Sequence, residues 1–313
     1  MRGLKGLCVC LLAGLTWLLA AQLVFARGLD GAMQSVVSVL PEWPPDAKRS
    51  EEPEGSGVVV LDGKTILTAL HVVDRAVSIR VRTLSGDIFT ARIKGRDRAT
   101  DIAALTIDEK LPVIDLLEQA PGLGERVCAI GNAFGLGLSV TCGVVSGVHR
   151  AGLGFNRVED FVQTDASVNP GSSGGALVTA EGKLVGLLSA IFTKTSDANI
   201  GINFAVASNL AMEVGKQLQA NGRVKRPISG ARLEPVPEKG KTGKLGARVV
   251  ALRDGLLAAK GGMKVGDIII EAGGRRIRKP ADFVSAMSSL LVADSLEVKV
   301  LREGVTQTLS LEK

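Results

Sequence analysis

Asn169-Pro170-Gly171-Ser172-Ser173-Gly174-Gly175-Ala176-Leu177 is the stretch on which the reading of this chain turns. Serines set between glycines, with an apolar strand start behind them, describe a tight turn that presents a hydroxyl. Glycine supplies the φ > 0 conformations and the close backbone approach that such a turn needs. It also lets backbone N–H groups converge on the oxyanion formed when a serine attacks a carbonyl. Taken alone, the run reads as a plain Gly/Ser loop.

Two segments upstream change that. Thr68-Ala69-Leu70-His71-Val72-Val73 puts a histidine at the end of an apolar strand-like run, and Thr100-Asp101-Ile102-Ala103-Ala104-Leu105 puts an aspartate just before another. Nucleophilic serine chemistry needs a general base beside the hydroxyl and a carboxylate on the far ring nitrogen. The order His, Asp, Ser is that of the chymotrypsin-like proteases, not of the α/β-hydrolases or subtilisins. The chain has 2 histidines, so candidates for the base are few. His149, beside Arg150 after an apolar strand, reads as a strand-end surface residue.

Working outward, 313 residues are enough for about two domains. Gly is abundant at 38 residues, aromatics make up 3%, and Tyr is absent. Short Val/Ile/Leu runs separated by Gly, Asp and Asn read as β structure. One set spans 32–40, 57–61, 65–69, 76–82, 88–93 and 102–107, with Asp62-Gly63 as a hairpin turn. A second set spans 126–130, 140–148, 160–164, 175–178, 184–189 and 201–205. Two successive sets of about six strands fit two packed β-barrels, a mainly β fold with the site in the cleft between them. A helix is expected over Asn209–Ala220, N-capped by Ser208 and stopped by Gly222, with Leu210, Val214 and Leu218 on one face. The formal charge of +6 is small and scattered. With no basic-aromatic interleaving, it argues against a nucleic-acid partner.

Residues 1–5 carry two positive charges, and none is charged from Gly6 to Ala26. A cleaved secretory signal over 1–26 and a retained N-terminal membrane anchor both fit. Either puts the remainder outside the cytoplasm: in the periplasm, or anchored to the inner membrane and facing it. Cys128 and Cys142 lie symmetrically on the two arms of a hairpin. An oxidising compartment permits a disulfide there; two buried free thiols are the other reading.

Gly55-Ser56-Gly57-Val58, Leu67–Val73, Thr100–Leu105, Ala129-Ile130-Gly131-Asn132, Gln163-Thr164-Asp165-Ala166, Asn169–Leu177 and Gly201-Ile202-Asn203-Phe204-Ala205 occur in order and in register. Together they resemble the HtrA (Deg) family of serine proteases over about residues 32–313. The resemblance implies a chymotrypsin-like double barrel, a PDZ domain, a homo-trimer, and ATP-independent cleavage of misfolded or regulatory proteins in the cell envelope. It implies no metal and no cofactor. No Gly-rich run ends in Gly-Lys-Ser/Thr, which agrees on ATP. Trp43 or Val36–Val39 are candidates for packing at a trimer axis.

The resulting expectations are specific. Residues 27–220 form the protease domain, 221–226 a linker, and 227–313 an α+β PDZ domain. His71 is the base, Asp101 its orienting carboxylate and Ser173 the nucleophile. Ser172 is its rival; the family register and the Gly174-Gly175 that follows favour Ser173. The N–H groups of Gly171 and Ser173 form the oxyanion hole. Ala166, Ser167, Val168, Ser189, Ala190 and Ile191 wall a small apolar substrate pocket without an acid to pair a basic side chain. In the C-terminal domain, Ile228-Ser229-Gly230-Ala231 occupies the place of the carboxylate-binding loop that captures peptide C-termini. Its residues are smaller than the family pattern, so a packed accessory domain with a weak groove is the competing reading. A peptide-binding chaperone or scaffold with low or ligand-gated proteolysis is the alternative function.

Overall fold

A computed structural model describes residues 28–45, 54–191, 201–236 and 246–313. The proposed signal or anchor segment lies outside the described residues. The first barrel closes in the order β1 (Val36–Glu42), β2 (Gly55–Val60), β3 (Thr65–Ala69), β6 (Ile102–Thr106), β5 (Ile88–Asp97), β4 (Ser78–Arg82). The second closes in the order β10 (Ala176–Thr179), β11 (Leu184–Ile191), β12 (Asn203–Ala207), β9 (Phe161–Thr164), β8 (Ser139–Arg150), β7 (Arg126–Gly131). Closure leaves no unpaired strand edge in either sheet.

Sequence pattern explains each strand's place. β5 alternates exposed and buried positions, as expected for a strand with one wet face. β2 and β3 are buried at every position, because their outer faces are covered too. At Asp62-Gly63 the Asp62 carboxylate accepts the N–H groups of Lys64 and Thr65, and Gly63 takes φ +80°.

The first strand starts later than the sequence suggests. Residues 28–34 are helical (α1), and Leu29 and Ala32 are buried against the barrels. The alternation from residue 32 was a helix face running into a strand. Val36, Val37 and Val39 are fully buried in the chain's own cores, so they are not free to line an axis between copies.

Helix α3 (Ser208–Asn221) packs on β5 and β6 of one barrel and on β11 and β12 of the other. Leu210, Val214 and Leu218 are buried on it as the 3.6-residue period predicts. β12 runs up to Ala207, which serves as the extended cap, so Ser208 is the first helical residue and not the N-cap. Gly222 ends the helix at φ +68°, its N–H bonded to the Leu218 carbonyl at 2.9 Å.

Residues 222–230 carry no helix or strand. Within them Arg226 reaches back to the buried Asp97 with two hydrogen bonds of 2.8 and 2.5 Å. The C-terminal sheet runs β13 (Ala231–Pro235), β14 (Ala247–Leu252), β15 (Ile268–Ala272), β17 (Ser295–Arg302), β18 (Val305–Glu312), with β16 (Arg275–Arg276) beside β15. Helices α4 (Leu257–Lys260) and α5 (Pro280–Met287) pack on it around Phe283, Leu290 and Val298. The fold is thus two six-stranded antiparallel barrels followed by a smaller sheet domain with helices.

Cys128 and Cys142 face each other on β7 and β8 and are joined by a disulfide. Of the two readings of these cysteines, the structure has the bridge.

Candidate active site

β3 ends at Ala69, and the chain makes one helical turn, α2 (Leu70–Val73). Leu70, Val72 and Val73 bury themselves in the first barrel. His71 is left pointing outward, its side chain 44% exposed. Asp101 sits just before β6 in the left-handed region at φ +58°, a conformation that Asp tolerates better than most residues. That turn aims three groups at α2. The Asp101 carbonyl accepts Leu70 N–H at 2.8 Å. Its Oδ1 accepts His71 N–H at 3.0 Å, and its Oδ2 lies 2.5 Å from His71 Nδ1. A carboxylate can only accept, so Nδ1 carries the proton and Nε2 is the basic nitrogen.

The turn 169–175 belongs to the second barrel but is docked on the first. Ser172 N–H bonds to Asn169 O and Gly175 N–H to Ser172 O, each at 2.9 Å. Gly171 and Gly174 take φ +91° and +84°. Ser56 N–H of β2 bonds to the Ser173 carbonyl at 2.9 Å, while Gly174 N–H bonds to Leu188 O of β11 at 2.7 Å. A Cβ on Gly174 would stand 2.2 Å from Ser56 O and 2.8 Å from Ala69 N. Only glycine therefore lets this turn close on the backbone two residues before His71. His71 and Asp101 are paired on the first barrel, and the turn that carries Ser173 packs on the backbone of Ser56 and Ala69 beside them. Ser172 packs on the second barrel. Its Cα and Cβ lie against Gly131 of β7, where a Cβ would come within 3.1 Å.

The N–H groups of the turn differ in use. Ser172's is spent within the turn. Those of Gly171 and Ser173 donate to no group among the described residues. The peptide that carries Ser173 N–H is held through the Ser172 carbonyl, which accepts Gly175 N–H. Phe134 N–H holds the Pro170 carbonyl at 2.7 Å. Ser56 Oγ donates to the Gly171 carbonyl at 2.8 Å and accepts Asn132 N–H at 2.8 Å. Asn132 in turn bonds Glu54 and Gly137. The Phe134 bond fixes the peptide that carries Gly171 N–H, and the Ser56 bond fixes the next peptide, whose N–H is that of Ser172. Ser56 and Asn132 lie inside quoted motifs, yet sequence reasoning assigned them no role. Their signal is a small hydroxyl between glycines and an Asn closing a strand.

Of the expected pocket walls, Ala166 and Val168 are buried, and Ser167 is exposed. The Ala166 carbonyl is held by Asn203 Nδ2 at 2.8 Å and the Ser167 carbonyl by Thr141 Oγ1 at 2.5 Å. Ser189 follows Leu188, whose N–H bonds the Gly175 carbonyl at 2.8 Å, so this end of β11 runs beside the turn. The side chains of Ala190 and Ile191 lie outside the described residues.

In the C-terminal domain, Arg253 N–H bonds Gly230 O at 2.9 Å, and Ala258 N–H bonds Ser229 O at 2.8 Å. These carbonyls turn away from a groove of about 490 Å³ between β13 and α5, lined by Ile228, Ala231, Leu233, Val284 and Met287. Gly230 takes φ +77°. His149, expected as a surface residue, instead places Nδ1 2.9 Å from Asp160, which is 1% exposed and bonded at 2.8 Å by Arg275 of the C-terminal domain. This junction had no signal in the sequence, because its members are 115 positions apart.

Residues 55–187 match the trypsin-like peptidase domain family, and residues 198–312 match the PDZ domain family. The periplasmic serine endoprotease DegP of Salmonella typhimurium is 38% identical over 269 residues, covering 82% of this chain and 56% of that protein. The chain thus spans somewhat over half the length of the curated relatives it matches. Among solved structures, the HtrA-type protease AlgW with a tripeptide matches at TM-score 0.71 and 34% identity, covering 92% of this chain and 96% of that one. AlgW with a decapeptide matches at TM-score 0.65 and 30% identity, covering 92% and 97%. With two barrels, a PDZ-like sheet domain and this sequence kinship in agreement, the chain belongs to the HtrA/DegP family of trypsin-like serine proteases and carries a PDZ domain.

Proposed function

We propose that the protein is an ATP-independent serine endopeptidase of the periplasm that cuts misfolded or regulatory proteins. The observation that carries this reading is the His71–Asp101 pair facing a turn whose Gly174 packs on Ala69. Ser173 Oγ attacks the scissile carbonyl while His71 Nε2 takes its proton. Asp101 holds the tautomer and stabilises the imidazolium. The N–H groups of Gly171 and Ser173 stabilise the oxyanion. His71 then returns the proton to the leaving amine, and water, deprotonated by His71, releases the acyl-enzyme. Ala166–Val168 and the Ser189–Ile191 end of β11 offer a small uncharged pocket, so cleavage follows Val, Ala or Ile. In this reading residues 1–26 direct export, 27–220 form the protease unit, 221–226 the linker and 227–313 the PDZ unit, whose loop Ile228–Ala231 captures peptide C-termini. Assembly is as a homo-trimer.

The test is digestion of casein by the purified protein beside Ser173→Ala, with the cut sites mapped. Expected is cleavage after small aliphatic residues that falls by at least about 10³-fold in Ser173→Ala. Cleavage surviving in Ser173→Ala but lost in Ser172→Ala would name the other serine. A preference for Lys or Arg would refute the pocket. No cleavage by the unmutated protein, even with PDZ-binding peptide, would favour a chaperone or scaffold.

A further inference from the structure

The edge strand of the PDZ domain carries a proline where an incoming strand would seek a donor. Among the described residues β13 ends the sheet order and pairs only with β14, which leaves its other edge open. Val236 N–H bonds Gly246 O across from β14 at 3.3 Å. Successive residues of a strand present their N–H and C=O groups to opposite sides. Arg232 and Glu234 therefore face β14 like Val236, and Leu233 and Pro235 face the open edge. The register shift in this ladder falls opposite, between Ala251 and Val249 of β14, and leaves the alternation along β13 intact.

We infer that Pro235 limits this groove to a short C-terminal tail, with backbone recognition ending about three residues from the carboxylate. The inference rests on the capture of C-termini proposed above. A carboxylate seated on the N–H groups at 229–231 lies at the N-terminal end of β13, so the tail runs antiparallel to it. A last residue beside Ala231 puts the third residue from the end opposite Leu233, where it exchanges two hydrogen bonds. The fifth residue from the end lies opposite Pro235. Proline has no N–H, and its ring carbon stands in the donor's place. The tail carbonyl cannot approach, and the Pro235 carbonyl is held away from its own partner. The apolar groove residues Ile228, Leu233, Val284 and Met287 suit an aliphatic last side chain. The partner that fits is thus an exposed aliphatic C-terminus of any chain, read with little regard to what precedes it.

The test measures fluorescence-anisotropy affinities of Ser173→Ala protein for labelled Ala-Val-Val with a free carboxylate, and for the same tail extended by one to five alanines. Affinity is expected to level off by the fourth residue, within about twofold thereafter. In Pro235→Ala the longest peptide should tighten by about fivefold or more as the backbone bonds at position 235 are regained, while the tripeptide stays unchanged. Because an edge-strand variant can perturb the sheet, the length series on the unmutated edge decides independently. A tenfold gain between four and eight residues there would overturn the inference while leaving capture standing. Equal binding of amidated and free-carboxylate peptides, or binding by none, would overturn the capture reading and this one with it.

Discussion

Ser56 touches no reacting atom, yet its hydroxyl ties β2, the end of β7 and the turn at Gly171 together. Removing it frees the Gly171 carbonyl and leaves the Asn132 N–H without its acceptor. The Gly171–Ser172 peptide then loses its anchor, and the turn loosens beside the neighbouring peptide whose Gly171 N–H is the proposed oxyanion donor. Ser56→Ala should therefore lower kcat about 10- to 100-fold with little change in KM. Equal kcat in the variant would remove Ser56 from the positioning role. The residue scale is also where the sequence was most legible. His71 and Asp101 were recognisable because each ends or begins an apolar run, and such positions hold a polar side chain at a barrel rim. Ser56 was not, because a hydroxyl between glycines has no periodicity and its partners lie 76 and 115 positions away.

At the scale of elements, strands and helices were readable where one face stays wet, as in β5 and α3. The boundaries failed where tertiary packing sets them: α1 runs into β1 with no polar break, and Ser208 is drawn into the helix because β12 pairs up to Ala207. Charge pairs between strands left no trace either. Asp267 precedes β15 and is 1% exposed. It receives Arg302 Nε and Nη2 at 2.7 Å each, and Lys264 N–H at 2.8 Å. Burial pushes its carboxyl pKa up, but the hydrogen bonds from Arg302 and Lys264, with the attraction of the guanidinium, together hold it below the usual carboxylate value. A pKa lower folded than unfolded means that the unfolded chain binds the proton first. The pair's stabilisation is complete above about pH 4, near the unfolded value, and is lost as pH falls through the lowered folded value. Asp267→Asn should destabilise the protein by about 3 kcal/mol at pH 7. It should also flatten the acid limb of stability below pH 4. Parallel pH–stability curves for the variant and the unmutated chain would show that Asp267 is not the group responsible.

For the molecule as a whole, the junction of barrels and PDZ domain is pinned by charge. Arg275 and His149 converge on the buried Asp160, and Arg226 on Asp97. A double-mutant cycle on Asp160→Asn and Arg275→Ala should give a coupling of about 2 kcal/mol, because each single change strands the other's buried partner. Strictly additive losses would mean that the two groups are neighbours without dependence. The number and order of domains could be read from the chain; this contact between them could not, since two barrels and a sheet domain can be strung together without touching. The seam between the barrels has one more implication. His71 and Asp101 hang on the first barrel and the turn at Ser173 on the second, so neither barrel holds both halves of the proposed chemistry. A chain with one barrel folded is a blank: it has a base without a nucleophile or the reverse. On the proposed roles, the chain is disarmed until the two barrels have closed on each other. Any strain that parts the barrels divides the proposed base from the proposed nucleophile again.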